Sequence, residues 1–172
     1  GVQIAGFGNY AKYINGFQVA GFINRAGHVQ GSQFGVLNFA RSTNGVPVGF
    51  FSFVRTGYHK IEFATDEHLL STASFRTGVN AFHNIFIGGA QLSGNDRLWT
   101  IGYGLGTSAR LSKRWYLDFD VTSQQIELAE SGNFDFNQLT KAYLGIEWRI
   151  LKKFSIAAGP TFNWFLSDIN GF

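Results

Sequence analysis

The sequence contains no cysteine and no methionine, and only two of its 172 residues are proline. The lack of cysteine excludes a disulfide framework and any thiolate metal site. Charged residues make up 15% of the chain, well below the roughly one quarter that is usual for soluble proteins. No apolar run reaches the ~18 residues that indicate a membrane-spanning helix. Lysines and arginines are scattered and the net charge is only +3, so a nucleic-acid partner is not expected.

Aromatic residues and glycine are abundant instead. Aromatic side chains account for 17% of the sequence, and there are 22 glycines. A chain rich in both and poor in charge is typical of β-structure whose outer surface contacts something other than water.

The part of the chain after Arg97 alternates between apolar and polar residues. In RWYLDFDVTSQQ, for example, Trp115 and Phe119 share one face, while Asp118 and Asp120 take the other. The same period of two runs through LWTIGYGLGTSARL, KAYLGIEWRI and FSIAAGPTFNWFL. This period predicts four strands, and each is longer than the five or six residues of an average strand.

Three weaker strands are predicted before this region, within residues 58–65, 68–78 and 83–92. Residues 46–54 are predicted to close the ring as an eighth strand; the alternative is a final strand after Phe172, in which case the chain is incomplete. The links alternate between short turns and a long acidic loop, as in outer-membrane barrels. The predicted fold is therefore all-β: an antiparallel transmembrane β-barrel of about eight strands, or about twelve if the N-terminal repeats contribute strands. The alternative is a soluble sandwich or a lipocalin-like barrel, with the apolar face packed inside.

Two sets of side chains follow from the barrel prediction. Charged residues on the polar face are expected to pair inside the lumen; they are Arg110, Asp118, Asp120, Lys141, Glu147 and Arg149. Tryptophans near the strand ends are expected to form an aromatic girdle at the membrane surface; they are Trp99, Trp115, Trp148 and Trp164.

Residues 1–44 repeat a unit of about fifteen residues, GVQIAGFGNYAKYIN, GFQVAGFINRAGHVQ and GSQFGVLNFARSTN. Stacked as coils of a β-solenoid, these units would form amide ladders, with glycines at the corners. The ladder residues are Gln3, Gln18 and Gln33 in one row and Asn9 and Asn24 in another, and Ile4, Val19 and Phe34 are expected to fill the interior. The rival interpretation makes each repeat one barrel strand with its turn. The predicted domains are a repeat module, 1–44, and a barrel, 45–172.

These segments carry a resemblance to a known group of proteins. The GVQIAGF-type repeats, followed by FVRTGYHKIEF, IGYGLGTS and AAGPTFNW, resemble outer-membrane β-barrel proteins of Bacteroides-type bacteria that carry N-terminal surface repeats. The resemblance implies an outer-membrane barrel whose function is largely unassigned, and it supplies no catalytic residues.

Sites for catalysis, metals and cofactors are not predicted. The histidines do not have the spacing of a metal motif; they are His28, His59, His68 and His83. His68 and Ser71 are the nearest hydrolase-like pair, but their spacing places them on opposite faces of a strand. Gly102–Gly106 resembles a phosphate loop only superficially, because it lies within a strand and precedes no helix.

The sequence thus predicts a non-enzymatic protein of the bacterial outer membrane, acting as a structural or accessory subunit. Its expected partners are membrane lipid, lipopolysaccharide and other outer-membrane proteins, with no nucleic acid and no cofactor. The alternatives are a small porin or transport component, a lipid-modifying outer-membrane enzyme and, last, a soluble binding domain.

Overall fold

The computed structural model describes residues 1–65, 71–91, 98–128, 137–151 and 154–167. The protein is all-β, and the described residues contain strands and turns but no helix. The first six strands are β1 (Val2–Ala5), β2 (Gly8–Ala20), β3 (Ile23–Phe34), β4 (Leu37–Thr43), β5 (Pro47–Val48) and β6 (Phe51–Val54). The other eight are β7 (Tyr58–Ala64), β8 (Thr72–Val79), β9 (Phe82–Gln91), β10 (Leu98–Arg110), β11 (Trp115–Leu128), β12 (Asn137–Leu151), β13 (Phe154–Ala158) and β14 (Thr161–Ser167).

The chain divides into two compact units. The solenoid unit comprises Gly1–Lys60 and Arg76–Asn84, and the sheet unit comprises Ile61–Phe75 and Ile85–Phe172. The predicted boundary between residues 44 and 45 therefore falls within the solenoid unit. This unit continues through β5 and β6 and includes parts of β7, β8 and β9.

The repeats form parallel, stacked coils in the solenoid unit. Strands β1, β2, β3, β4 and β6 pair in that order, and β5 pairs with β3. The register places Gln3 beside Gln18 and Gln18 beside Gln33, so equivalent positions of successive repeats become neighbours. The repeats are thus solenoid coils and not separate antiparallel strands of a barrel.

Residues 46–54 were expected to close the barrel, and this prediction is wrong. β5 pairs in parallel with β3, and β6 pairs in parallel with β4, so this segment forms the next coil of the stack. The reason is the repeat itself, since GVPVGFFSFVR keeps the glycine and alternation pattern of the preceding units although it has lost their glutamine.

The coil corners require glycine where neighbouring coils come close. Gly31 has a φ of 138°, in a region that residues with a side chain rarely adopt. A Cβ atom built on Gly31 would also overlap the carbonyl oxygen of Gly16 in the preceding coil. The repeated glycine therefore serves both the backbone conformation and the close stacking of coils.

The residues that fill the interior of the solenoid unit are not the predicted ones. Its apolar core is small and consists of Ile14, Ala26, Val29, Ala40 and Val54. The predicted interior residues are exposed instead: Ile4 is 77% exposed, Val19 37% and Phe34 40%. Each of them directly follows a ladder glutamine, and adjacent strand residues point to opposite faces. Because Gln18 and Gln33 are buried and the three glutamines bond one another, the apolar residues that follow them face outward.

The sheet unit is a curled antiparallel sheet. Its strand order is β13–β12–β11–β10–β9–β8–β7, and β14 pairs with β12 beside β13. The strands predicted from alternation are all present. The last predicted strand is divided into β13 and β14 at Gly159–Pro160, where proline has no N–H to donate. Its carbonyl still accepts a bond from the Leu144 amide at 3.1 Å.

The two edges of this sheet are β7 and the pair β13/β14. Among the described strands, no pairing joins these edges into a ring. The connections at 66–70, 92–97, 129–136 and 152–153, which include the predicted polar turns and the long acidic loop, lie outside the described residues.

Candidate functional site

The outward face of the sheet unit is apolar. Ile101 is 62% exposed, Phe119 47% and Leu144 48%, although each lies within a long, regular strand. Other large apolar side chains exposed on these strands are Leu105, Leu117, Val121, Ile146, Ile156, Phe162 and Leu166. A sheet in water normally hides such a face against a second layer. Here the face is continuous over neighbouring strands and exposed.

The inward face of β10, β11 and β12 is mostly polar and buried. Asp118 and Asp120 are each only 2% exposed, and Lys141 is 7% exposed. Asp118 lies opposite Ser108 of β10 and Gly145 of β12, while Asp120 lies opposite Gly106 and Tyr143. Thr100, Gln124 and Glu147 are buried on this face as well. The structure therefore brings four of the six predicted interior charges, Asp118, Asp120, Lys141 and Glu147, into one buried surface.

Of the remaining two predicted interior charges, Arg149 lies in the polar interior and Arg110 does not. Arg149 donates to the carboxylate of Glu147 at 3.3 Å, and its guanidinium lies 3.5 Å from the centre of the Tyr116 ring. This pair belongs to the polar interior, since Glu147 and Tyr116 are both buried. Arg110 does not join it. Its side chain is exposed and donates to the Ser112 carbonyl at 3.1 Å, because β10 ends there and the turn carbonyl is within reach.

Side chains fill the interior around its glycines. Cβ atoms built on Gly102 and Gly104 would overlap the side chains of Gln124 and Thr122 on β11. The Tyr143 hydroxyl lies over Gly145 in the same way. Glycines on this face therefore make room for larger polar side chains.

The four tryptophans lie on the outward face, toward the strand ends. Trp115 begins β11 and stacks on Trp148 of β12, with ring centroids 5.7 Å apart and planes 12° from parallel. Trp99 is the second residue of β10, so it lies at the opposite end of the antiparallel strands. Trp164 lies opposite Thr140, toward that same end of β12.

Polar residues end the apolar face on β11. Gln138 donates to the Ser123 hydroxyl at 2.6 Å, and Gln125 donates to Glu127 at 2.8 Å. Ser123 and Gln125 continue the alternation that places Phe119 outward, so the outward face changes from apolar to polar after Val121. The apolar surface is thus a band with a polar margin.

Amide ladders hold the solenoid unit together. Gln18 donates to Gln3 at 2.7 Å and Gln33 donates to Gln18 at 2.8 Å. Asn9 donates to Asn24 at 3.1 Å, and Asn24 donates to Asn38 at 3.0 Å. Each amide in the middle of a row therefore donates a hydrogen bond to one neighbouring coil and accepts one from the other.

The asparagine row also closes each coil on itself. Asn9 donates to the Val19 carbonyl at 2.9 Å, and Asn24 donates to the Phe34 carbonyl at 2.8 Å. The Asn38 amide repeats the contact with Val48, again at 2.9 Å. In every case the acceptor lies ten residues after the asparagine, so one side chain bridges both sides of a coil.

Three further members of this row were not predicted. Asn38 and Ser52 continue it in the third and fourth coils, and an alignment offset of 14 residues instead of 15 would have found them. Asn84 ends it: its Oδ1 accepts from the Ser52 amide at 2.9 Å, and its Nδ2 donates to the Gly49 carbonyl at 2.8 Å. No local signal marks Asn84, because it comes from β9, outside the repeats.

No family model, no curated protein and no solved structure matches this chain. Among the residues that the structure describes, there is no helix of the length and apolarity needed to cross a membrane.

The described histidines have structural contacts. The His28 ring lies 2.8 Å from the Ser42 hydroxyl, and the His59 ring contacts the Val54 carbonyl at 2.7 Å. His83 is fully buried beside the Tyr58 ring. Within the described ranges no cluster of histidine and carboxylate side chains could hold a metal ion. His68 lies outside the described residues, so the arrangement of the Ser71–His68 pair stays a prediction.

Proposed function

We propose that this protein is a non-enzymatic component of a bacterial outer membrane, in which the sheet unit crosses the bilayer as strands of a β-barrel. The observation that carries the proposal is the inverted burial of the sheet unit. Its apolar face is exposed in β10, β11 and β12, while the polar face of the same three strands is buried and carries charges on β11 and β12. This is the arrangement of a transmembrane barrel, with apolar residues toward lipid and polar residues toward the lumen.

Water is an unfavourable solvent for that outer face. Fully burying a large apolar side chain is worth about 1.5–3 kcal/mol. More than a dozen such side chains in β10–β14 are only partly buried, so each forgoes a share of this free energy in water. Burying Asp118, Asp120, Lys141 and Glu147 adds the desolvation cost of charged groups. The ion pair between Arg149 and Glu147 at 3.3 Å offsets part of this cost. Hydrocarbon around the outer face would remove the first of these two costs.

The length of the apolar band supports the same proposal. Outward apolar positions span seven residues in β11 (115–121), nine in β12 (142–150) and thirteen in β10 with its first turn residue (99–111). A transmembrane strand needs about 9–11 residues at a tilt of about 45°, a length that the apolar positions of β10 and β12 reach and those of β11 fall just short of. The tryptophans near the ends of these strands suit the membrane–water interface, where aromatic rings are enriched.

A structural or accessory role suits the interior better than transport does. The side chains of Gln124, Thr122 and Tyr143 occupy the space that Gly102, Gly104 and Gly145 leave, as in small barrels whose lumen is filled. The solenoid unit, held by buried amides, would then be a rigid attachment for other outer-membrane components.

Fractionation and bilayer recordings test this proposal. We expect the full chain, expressed with an export signal, to be recovered from outer membranes only with detergent, together with at least one other outer-membrane protein. In planar bilayers we expect no single-channel steps. Recovery in the soluble periplasmic fraction would contradict the membrane proposal. Steady conductance steps would favour the porin alternative, and altered lipid A in expressing cells would favour the enzyme alternative.

A further inference from the structure

A shallow groove of about 820 Å³ lies on the outer surface of the solenoid unit. Four basic side chains line it, Lys12, Arg25, Arg41 and Arg55, together with the rings of Tyr10 and Phe39. In the sequence these cations are separated by a full repeat and look scattered. Stacking brings them to one face, with one cation from each of four successive coils.

The register explains why the cations form a row. Tyr10, Arg25 and Phe39 occupy the same position in three coils. Ala11, Ala26, Ala40 and Val54 share the next register position, and the residues that follow them are Lys12, Gly27, Arg41 and Arg55. Three of the four cations thus come from equivalent positions. Arg25 lies two residues before Gly27, on the same face of its strand, so the row is staggered in the second coil. Coils in such a stack are spaced by about 4.8 Å, so the row of four extends over about 14 Å.

The solenoid unit contains nothing to neutralise this row. Residues 1–60 and 76–84 include no aspartate and no glutamate. A salt bridge to any of the four cations would need an acidic side chain, and this unit has none. Within the unit the four positive charges therefore repel one another along the groove. A ligand that carries several negative charges in a line would remove that repulsion.

We propose that this groove binds a linear, carboxylate-bearing polysaccharide. Three of the four cations are arginines, whose planar guanidinium can hold a carboxylate with two parallel hydrogen bonds. The row is extended, so it suits a chain with one charge per sugar better than a single compact headgroup. Ser42 and His28, at the side of the groove, offer hydrogen-bonding groups to sugar hydroxyls.

Single-stranded nucleic acid is the main competitor, because it too binds basic grooves that carry aromatic rings. Base stacking needs open ring faces. Two rings at this groove are already paired within the unit: His28 stacks on Tyr13 with centroids 5.4 Å apart, and Phe39 contacts Phe51 at 5.9 Å. The exposed Tyr10 ring is a single platform, which a sugar ring can use but a run of bases cannot.

Binding of labelled oligogalacturonate to the full chain in a neutral detergent tests the proposal. We expect saturable binding that weakens with added salt, with none to a neutral dextran of equal length. The double variant Arg25→Gln/Arg41→Gln should bind about tenfold or more weakly, since a hydrogen bond to a charged group is worth about a factor of ten. Arg114→Gln, which removes an exposed charge in the β10–β11 turn, should bind like the unchanged protein.

Other outcomes overturn the proposal. Oligothymidylate bound more tightly than oligogalacturonate would assign the groove to nucleic acid. Binding only to vesicles that contain phosphatidylglycerol would assign it to a lipid surface, and equal loss in Arg114→Gln would mean nonspecific charge attraction. Because the variants are exposed at the surface, an unchanged far-UV circular dichroism spectrum and melting temperature would exclude misfolding as the cause. These measurements are made in detergent solution and do not depend on the membrane proposal.

Discussion

Replacing Asn24 with alanine should lower the free energy of unfolding of the solenoid unit by about 4 kcal/mol, because the Phe34 carbonyl and the Asn38 side-chain oxygen lose their donor at a cost of about 1–3 kcal/mol each. Asn24 is completely buried. Its amide donates to the Phe34 carbonyl and to Asn38, and its oxygen accepts from Asn9. Alanine can replace none of these bonds, and the coil is too closely stacked for water to enter easily. Urea unfolding followed by far-UV circular dichroism measures the change.

Asn44→Ala is the matched control for this substitution. Asn44 lies in the same unit, directly after β4, and its side chain is exposed, while its backbone amide bonds the Val29 carbonyl in either variant. An exposed change of this kind should alter stability by no more than about 0.5 kcal/mol. If Asn24→Ala were no more damaging than Asn44→Ala, the asparagine row would not stabilise the coils.

Phe119→Arg should destabilise the protein in lipid vesicles by about 2–4 kcal/mol, because a charge facing the bilayer midplane loses its hydration. Phe119 is outward and 47% exposed, and it lies between Trp115 and the polar margin at Ser123. In a water-exposed sheet the same substitution would change stability by no more than about 0.5 kcal/mol. The sign and size of the effect therefore distinguish the two surroundings. Urea titration of the protein folded into phosphatidylcholine vesicles gives the measurement.

Leu111→Arg is the control for Phe119→Arg, because it places the same charge at the edge of the proposed bilayer instead of its midplane. Leu111 is exposed and belongs to the same outward series, but its amide bonds the Trp115 carbonyl, so it lies at the end of the apolar band. A charge at the interface should cost only about 0–1 kcal/mol. Equal effects of the two arginines, or a stabilising effect of Phe119→Arg, would contradict the proposal that this face contacts acyl chains.

Local alternation is sufficient to predict the strands of the sheet unit, because each residue's face depends only on its neighbours in sequence. The period of two assigns Phe119 and Asp118 to different faces, and in the fold Phe119 is exposed while Asp118 is buried. Ring closure cannot be predicted this way. It depends on which strand meets which edge, and residues 46–54 pair with their repeat partners instead.

In the repeats, sequence identity predicts the register but not the inward face. Gln18 and Val19 are adjacent and recur together, so their spacing alone permits either one to face inward. The usual preference for apolar interiors favours Val19. Parallel in-register stacking reverses this preference, because amides at equal positions bond one another and can then be buried at a lower cost. Asn84 cannot be found from the sequence at all, since its partners Ser52 and Gly49 are distant in the chain.

Tryptophan fluorescence in vesicles with brominated acyl chains tests the central claim most directly. All four tryptophans of the chain are on the outward face of the sheet unit, between 37% and 53% exposed. We predict that bromines near the glycerol end of the acyl chains quench most of the emission, more strongly than bromines near the chain ends, while aqueous iodide quenches little. Strong quenching by iodide together with full emission in brominated lipid would show that water, not hydrocarbon, surrounds this face.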